Sequence, residues 1–294
     1  MKKNKALSII ALSLALIFAG CAQSKPSEEQ KAEFNLGKDI TVIARDAASG
    51  TRGAFHEIMG ILVKEKDAEA DKLVVGALEF DGTDKVITAV EGDKYGIGYI
   101  SMGSVSDRIK AVSVNGIEPD VENVRSGNYS VSRPFILVTK GSESELIKDF
   151  LKFAESTQGQ DITDEMKFIG ASDLSEDYAP SGMSGTIKVA GSTSVTPLME
   201  KLQEAYRDLN PDVTFEMQSN GSSQGIKAAL EGSYDIGMSS RELKEEEASQ
   251  LNSYILAIDG IAVIVNKENP KSDLASEDIT KIYTGEITKW SEIK

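Results

Sequence analysis

The sequence predicts an α/β protein, because short β-branched runs alternate along the chain with segments of helical spacing. Three clusters of Gly, Ser and Thr also stand where a strand pattern gives way to a helix pattern: Ser49-Gly50-Thr51-Arg52, Gly191-Ser192-Thr193-Ser194-Val195 and Gly221-Ser222-Ser223-Gln224-Gly225. A helix N-terminus presents unpaired backbone N–H groups and a partial positive charge, so hydroxyls and glycines there make a cradle for an anion. Three such cradles point to a site that wraps a small oxyanion at the carboxyl ends of strands. Each Ser or Thr taken singly would serve as an N-cap worth about 1 kcal/mol.

The elements follow in order. Ile40–Ala44 reads as a strand and the stretch from Gly53 to Lys64 as a helix. Leu73–Val75 and Gly96–Ile100 read as further strands, with Lys85–Glu91 a short helix between them. Pro134–Thr139 is a buried-strand run, and Glu143–Ser156 carries Leu146, Ile147, Phe150, Leu151 and Phe153 at helical spacing. Thr186–Ala190 then opens a second round. Pro197–Asn210 is a helix with proline in its first turn, Val213–Met217 a strand and Ile226–Glu231 a helix. Between the two rounds, Ala171–Ser184 is polar and holds the Pro and Gly of a linker.

Composition bounds the function. The 294 residues are 40% hydrophobic and 27% charged, enough for two sizeable cores. A formal net charge of -15 argues against nucleic acid and against an electrostatic grip on anionic lipid. It does not forbid an anionic ligand, since surface charges are screened beyond about 10 Å at 0.1 M salt. Lys2, Lys3 and Lys5 precede an apolar run from Ala6 to Ala19, too short to span a membrane, so residues 1–20 read as a secretory signal. Residues from Gln23 to Phe34 are polar and look like a solvated tether, taken as 21–37. The single cysteine, Cys21, rules out an intrachain disulfide and a Cys-based zinc site. The single histidine, His56, is expected to be a partly exposed helix residue rather than a general base, and Glu245-Glu246-Glu247 a solvated helix face. No catalytic residue, metal or cofactor is expected. A phosphate-ester hydrolase and a structural or adhesion lipoprotein remain the alternatives from other classes.

Two resemblances sharpen this. Phe18-Ala19-Gly20-Cys21 resembles a bacterial lipobox, which implies lipid attachment at Cys21 and anchoring to the outer face of the cell membrane. Arg45 through Phe55, Gly191–Val195, Gly221–Ile226, Asp235–Arg241, Asp259–Asn266 and Ile282–Ile287 with Trp290 resemble the phosphate-binding protein family of bacterial phosphate ABC transporters. The likeness runs from Lys38 to Lys294, but in a different order: an ordinary member begins at the segment like Thr186 and ends near Gln158-Gly159-Gln160. The chain therefore looks like a circular permutant.

The resemblance implies a two-lobed periplasmic-binding-protein-like (type II) fold with the ligand clamped between the lobes. One lobe would combine residues 38–131 and 258–294, and the other would run continuously over 132–257 and contain the 171–184 linker. Hinge strands would lie near Ser132–Val138 and Ile258–Val265. It further implies an exported receptor that captures inorganic phosphate, or another tetrahedral oxyanion such as sulfate, and delivers it to a membrane permease. Thr193, Ser194, Ser222 and Ser223 would line one side of the site, and Arg45, Ser49, Gly50 and Thr51 the other. Some members carry Asp where Ser240 stands, so Asp259 is the candidate acceptor for the phosphate proton, or else an ion partner for Arg241. Arg241 in turn either touches the ligand or neutralises Asp259. A monomer is expected, with a half-exchanged dimer as the other arrangement that satisfies the motifs.

Overall fold

The computed structural model describes residues 33–65, 68–171 and 176–294. The signal segment 1–20, Cys21 and the tether up to residue 32 lie outside the described residues. Phe34–Lys294 forms one compact unit.

Strand β1 (Thr41–Arg45) runs into α1 (Gly50–Ile58), whose N-cap Ser49 accepts the Arg52 N–H. This helix stops short of the expected Lys64. Gly60 turns the chain at φ +67°, after which β2 (Leu62–Glu65) folds back on β3 (Ala68–Asp71) as an antiparallel hairpin. No strand forms at Leu73–Val75. There the Val74 N–H donates to the Tyr283 carbonyl at 2.8 Å and Val75 is exposed, while β4 (Leu78–Phe80) takes the place beside β1.

Then come α2 (Thr83–Gly92), β5 (Gly96–Ser101), β6 (Lys110–Val114), α3 (Val121–Arg125), β7 (Ser132–Thr139) and α4 (Glu145–Glu155). An unexpected helix, α5 (Thr157–Glu165), starts at Ser156, which caps it by accepting the Gly159 N–H. The chain continues through β8 (Ile169–Gly170), β9 (Gly185–Gly191), α6 (Thr196–Leu209), β10 (Val213–Ser219), α7 (Ser222–Glu231), β11 (Ile236–Ser239), α8 (Glu245–Ala248), β12 (Asn252–Val265), β13 (Asp273–Leu274) and α9 (Ser276–Thr284).

Apart from the β2–β3 hairpin, the described strands join in one mixed sheet of order β10-β9-β11-β7-β12-β5-β1-β4, with β6 and β8 paired to β12 and β13 paired to β6. Buried apolar side chains fall into two sets. One set holds Phe55, Tyr99, Tyr283 and Trp290 on one face of the sheet, with Val86, Val90 and Ile264 on the other. The second holds Phe150, Leu198 and Tyr206 on one face, with Ile226 and Ala229 on the other. Strand alternation sorts residues between the faces: on β7, Phe135 and Leu137 point one way, Ile136 and Val138 the other. Strand β12 belongs to both sets. Its Leu256 and Ala257 enter the second, and after a register shift between Ile255 and Ala257 its Ile261, Val263 and Val265 enter the first.

The linker read from composition is not a loose tether where it is described. Tyr178 is buried in the second set, and one Asp149 oxygen accepts from Tyr178 at 2.5 Å, Ser181 at 2.6 Å and Tyr206 at 2.6 Å. The N-terminal Asp39 and the C-terminal Lys289 pair as an antiparallel bridge, and the Ser291 N–H donates to the Leu36 carbonyl at 2.8 Å.

Helix α7 sits unusually close to the sheet. A Cβ on Gly225 would come within 2.5 Å of the Ala190 carbonyl oxygen, and one on Gly237 within 2.6 Å of the Gly225 oxygen. Alanine is the better helix former by about 1 kcal/mol in a free helix. Here Gly225→Ala should instead lower stability by about 1–3 kcal/mol in urea unfolding, since backbone must move; a stabilised variant would contradict the close approach.

Candidate functional site

The C-terminal ends of β1, β9 and β11 lie beside the N-termini of α1, α6 and α7, and this is where the three sequence clusters meet. Helix α1 is capped by Ser49, but neither α6 nor α7 has a side-chain cap. The hydroxyls in front of those two helices make other bonds. Thr193 Oγ1 accepts from Arg45 Nη2 at 2.9 Å, and Ser194 Oγ lies 2.9 Å from Thr51 Oγ1. Ser240 Oγ accepts from Ser192 Oγ at 2.8 Å, and its N–H donates to Ser222 Oγ at 3.0 Å. Contact is so close at Gly50 that a Cβ would fall 2.3 Å from Ser222 Oγ and 2.8 Å from Ser240 Oγ. The Ser223 N–H donates to the Ala48 carbonyl at 3.2 Å, again joining α7 to the approach to α1.

Arg45 is the charge at the centre. It is 2% exposed, and among the described residues its guanidinium donates only to neutral oxygens: Phe80 O at 3.2 Å, Asp81 O at 3.4 Å and Thr193 Oγ1. The other arginines that line or back the site have carboxylate partners. Arg52 pairs with Asp71 at 2.9 Å, Arg133 with Asp259 at 3.0 Å and Arg241 with Glu247 at 2.8 Å. Burial pulls the Arg45 pKa below the usual guanidinium value, with Asp46 and Tyr99 acting the other way. A buried cation without a directly bonded carboxylate is costly, and hydroxyls and helix N-termini beside it can hold an anion that offsets that cost.

A relay of side chains fixes Arg45. Its N–H donates to Tyr99 Oη at 3.2 Å, Tyr99 donates to His56 Nε2 at 3.3 Å, and His56 Nδ1 donates to Asp71 at 3.0 Å. The Arg45 carbonyl accepts from Arg52 Nη1 at 2.9 Å. His56 is therefore buried, at 1% exposure, and not the partly exposed residue expected: the β2–β3 hairpin brings Asp71 against it. Its ring lies between the Asp71 carboxylate and the Tyr99 hydroxyl, one at each nitrogen. Burial lowers its pKa to about 4 in spite of Asp71.

Two expected site residues stand apart from the hydroxyl cluster. Arg241 does not pair with Asp259; its guanidinium is held by the Glu247 carboxylate and the Glu242 carbonyl at 2.8 Å. It lines a cleft of about 900 Å³ together with Ser49, Arg52, Gly53, His56 and Ser223. Asp259 lies behind the cluster, fully buried, accepting from Ser101 Oγ at 2.9 Å and from Arg133. Sequence reasoning missed Arg133, whose Nη1 donates to the Ser240 carbonyl at 3.3 Å, and Tyr99, while Ser192 stood within a predicted cradle without a role of its own. A lone Arg opening an otherwise apolar strand was the available signal for the first. Among the described residues no group of His, Cys, Asp and Glu is arranged to hold a metal ion, and no helix is long and apolar enough to cross a membrane.

Comparison with known proteins gives concordant matches. The family model described as PBP superfamily domain matches residues 2–158 and 177–293. The chain is 41% identical over 295 residues to phosphate-binding protein PstS 2 of Streptococcus pneumoniae, covering all of both chains. It is 40% identical over 299 residues to phosphate-binding protein PstS 2 of Streptococcus agalactiae, covering 100% of this chain and 99% of that one. A crystal structure of a phosphate ABC transporter phosphate-binding protein from Streptococcus pneumoniae superimposes with a TM-score of 0.72 at 43% identity, over 87% of this chain and 100% of that one.

The neutral, buried His56 makes stability depend on acid. Its folded pKa of about 4 lies below the usual histidine value of 6.5. Between those values the unfolded chain binds the proton and the folded one does not, so stability present above pH 6.5 is lost as pH falls towards 4. Wild type should lose about 3 kcal/mol relative to His56→Gln between pH 7 and pH 4 in denaturant titrations. A gap that stays constant would mean that His56 is not held neutral.

Proposed function

The chain belongs to the phosphate-binding proteins of the PBP superfamily, and from that membership we propose that it captures inorganic phosphate between two lobes and delivers it to an ABC-transporter permease. The family is one of transporter substrate-binding proteins, not enzymes. The fold is a two-lobed α/β one of the periplasmic-binding-protein kind. We take the lobes to be 38–131 with 258–294 and 132–257, each built on one of the two buried apolar sets. Strands β7 and β12 would be the hinge. Outside the described residues, Cys21 would carry the lipid that holds a monomeric receptor on the outer face of the cell membrane.

One observation carries the reading: Arg45, buried with no carboxylate hydrogen-bonded to its guanidinium among the described residues, bonds Thr193 from the other lobe. Phosphate would enter where these groups now meet each other. Arg45 contributes a planar fork that suits two phosphate oxygens. Thr51, Thr193, Ser194, Ser222 and Ser240 contribute hydroxyls that can donate to an oxyanion or accept from a protonated one. Ser49, Gly50 and Ser223 contribute N-terminal backbone at α1 and α7, where the helix field favours negative charge. Closing two lobes around the anion would exclude water and strengthen each of these contacts. Arg241 and Asp259 would act at one remove from the ligand, because their charges are already paired.

The streptococcal relatives match over the full chain and therefore share its segment order. We propose that this order is a circular permutation of the one in which the Gly191–Val195 strand comes first. The adjacency of residues 36–40 with residues 288–291 supports it, since a peptide link there would need little rearrangement.

Arg45→Ala separates binding from stability. Calorimetric titration should show phosphate affinity falling by about 100-fold or more, the loss of charge-assisted bonds in a water-excluded site. The ligand-free variant should be as stable as wild type, because it no longer buries an unpaired cation. Unchanged affinity would remove Arg45 from the site. A wild-type chain without affinity for phosphate would overturn the assignment itself.

A further inference from the structure

Behind the hydroxyl cluster, the two central strands carry a pair of opposite charges in register. Arg133 on β7 and Asp259 on β12 are directly opposed across the antiparallel ladder. Both are buried, with side chains 1% and 0% exposed. Arg133 Nε and Nη2 donate to Asp259 Oδ2 at 3.2 and 3.0 Å, and the guanidinium lies 5.5 Å from the Phe135 ring centroid. Each partner has a second attachment. Arg133 Nη1 donates to the carbonyl of Ser240 at the end of β11, and Asp259 Oδ1 accepts from Ser101 Oγ at the end of β5. Strand β11 packs with the second apolar set and β5 with the first. The ion pair thus ties together, from behind, the strand ends on both sides of the cluster.

Ser240 is the residue that needs such support. It follows β11 as the strand ends, is fully buried, and meets Ser192, Ser222 and the backbone of Gly50 at once. We propose that Arg133 is a positioning residue of the anion site: oriented by Asp259, it holds the Ser240 turn so that the Ser240 hydroxyl faces the cradle. This rests on the reading of the site as a phosphate site and adds a residue to it. A purely structural ion pair can be exchanged for apolar residues of similar size with stability kept or raised. A positioning arginine cannot be so exchanged, because the Ser240 carbonyl loses its donor and the turn its orientation.

The test is the double variant Arg133→Met with Asp259→Leu, measured beside wild type for unfolding in urea and for phosphate affinity. The expected result is an unfolding midpoint like that of wild type with phosphate binding weaker by about tenfold, the effect of one lost oriented hydrogen bond. Wild-type affinity in the double variant would overturn the inference. Should that variant fail to fold, the Arg133 Nη1–H resonance of the wild-type chain gives the answer. Addition of phosphate should shift it through the Ser240 carbonyl, and an unmoved resonance in a chain that binds phosphate would overturn the inference alone. A wild-type chain that binds no phosphate overturns the underlying reading and this with it.

Discussion

A buried guanidinium that, among the described residues, has no carboxylate hydrogen-bonded to it is the constraint around which the molecule is arranged. Arg45 sits at the end of β1 with its amide held by Tyr99, its carbonyl by Arg52 and its guanidinium by carbonyl and hydroxyl oxygens. Each holder is itself held. Tyr99 is backed by His56 and Asp71, and Arg52 is gripped by Asp71 and Glu79. Asp71 and Glu79 are thus bound to Arg52, and the Arg45 guanidinium faces the three helix starts. Buried charges in proteins are ordinarily paired, so an exception supported this thoroughly points to a partner that comes and goes.

The second constraint is steric. Hydroxyls from α1, α6 and α7 can converge only if the backbones approach without side chains between them, and glycine occupies each point of approach. Gly50 lies against Ser222 and Ser240, Gly221 at φ +99° against the Ala48 carbonyl, and Gly225 against the end of β9. Convergence of three helix N-termini would be unfavourable by itself, since their partial charges have the same sign. An anion at the meeting point reverses the sign of that interaction. The acidic character of the whole chain is compatible with this because the local field comes from oriented peptides within a few ångströms.

Much of this was legible in the sequence, and the failures have physical causes. The three clusters that the structure brings together could be picked out because Gly, Ser and Thr gather at successive strand-to-helix junctions. Helix α5 could not, because its residues lack apolar periodicity and it depends on the Ser156 cap and on packing against its neighbours. The helix ends before the expected Lys64, although Leu62 and Val63 continue an apolar pattern that Gly60 interrupts only through its backbone angle. Asp259 was assigned to Arg241 as a possible partner because both lie in recognisable segments. Its actual partner, Arg133, is fixed by the register of β7 against β12, a long-range fact that local spacing does not contain. His56 was misjudged for the same reason, since its burial depends on a hairpin that residues 60–71 build around it.

The central claim is that Arg45 and the three helix starts enclose phosphate, and a crystal structure of the protein grown with phosphate tests it most directly. The account predicts a tetrahedral anion among the N-termini of α1, α6 and α7, with oxygens on the Arg45 guanidinium and on hydroxyls from both sides of the cleft. Phosphate bound elsewhere, or Arg45 found paired with a carboxylate of the protein, would contradict it.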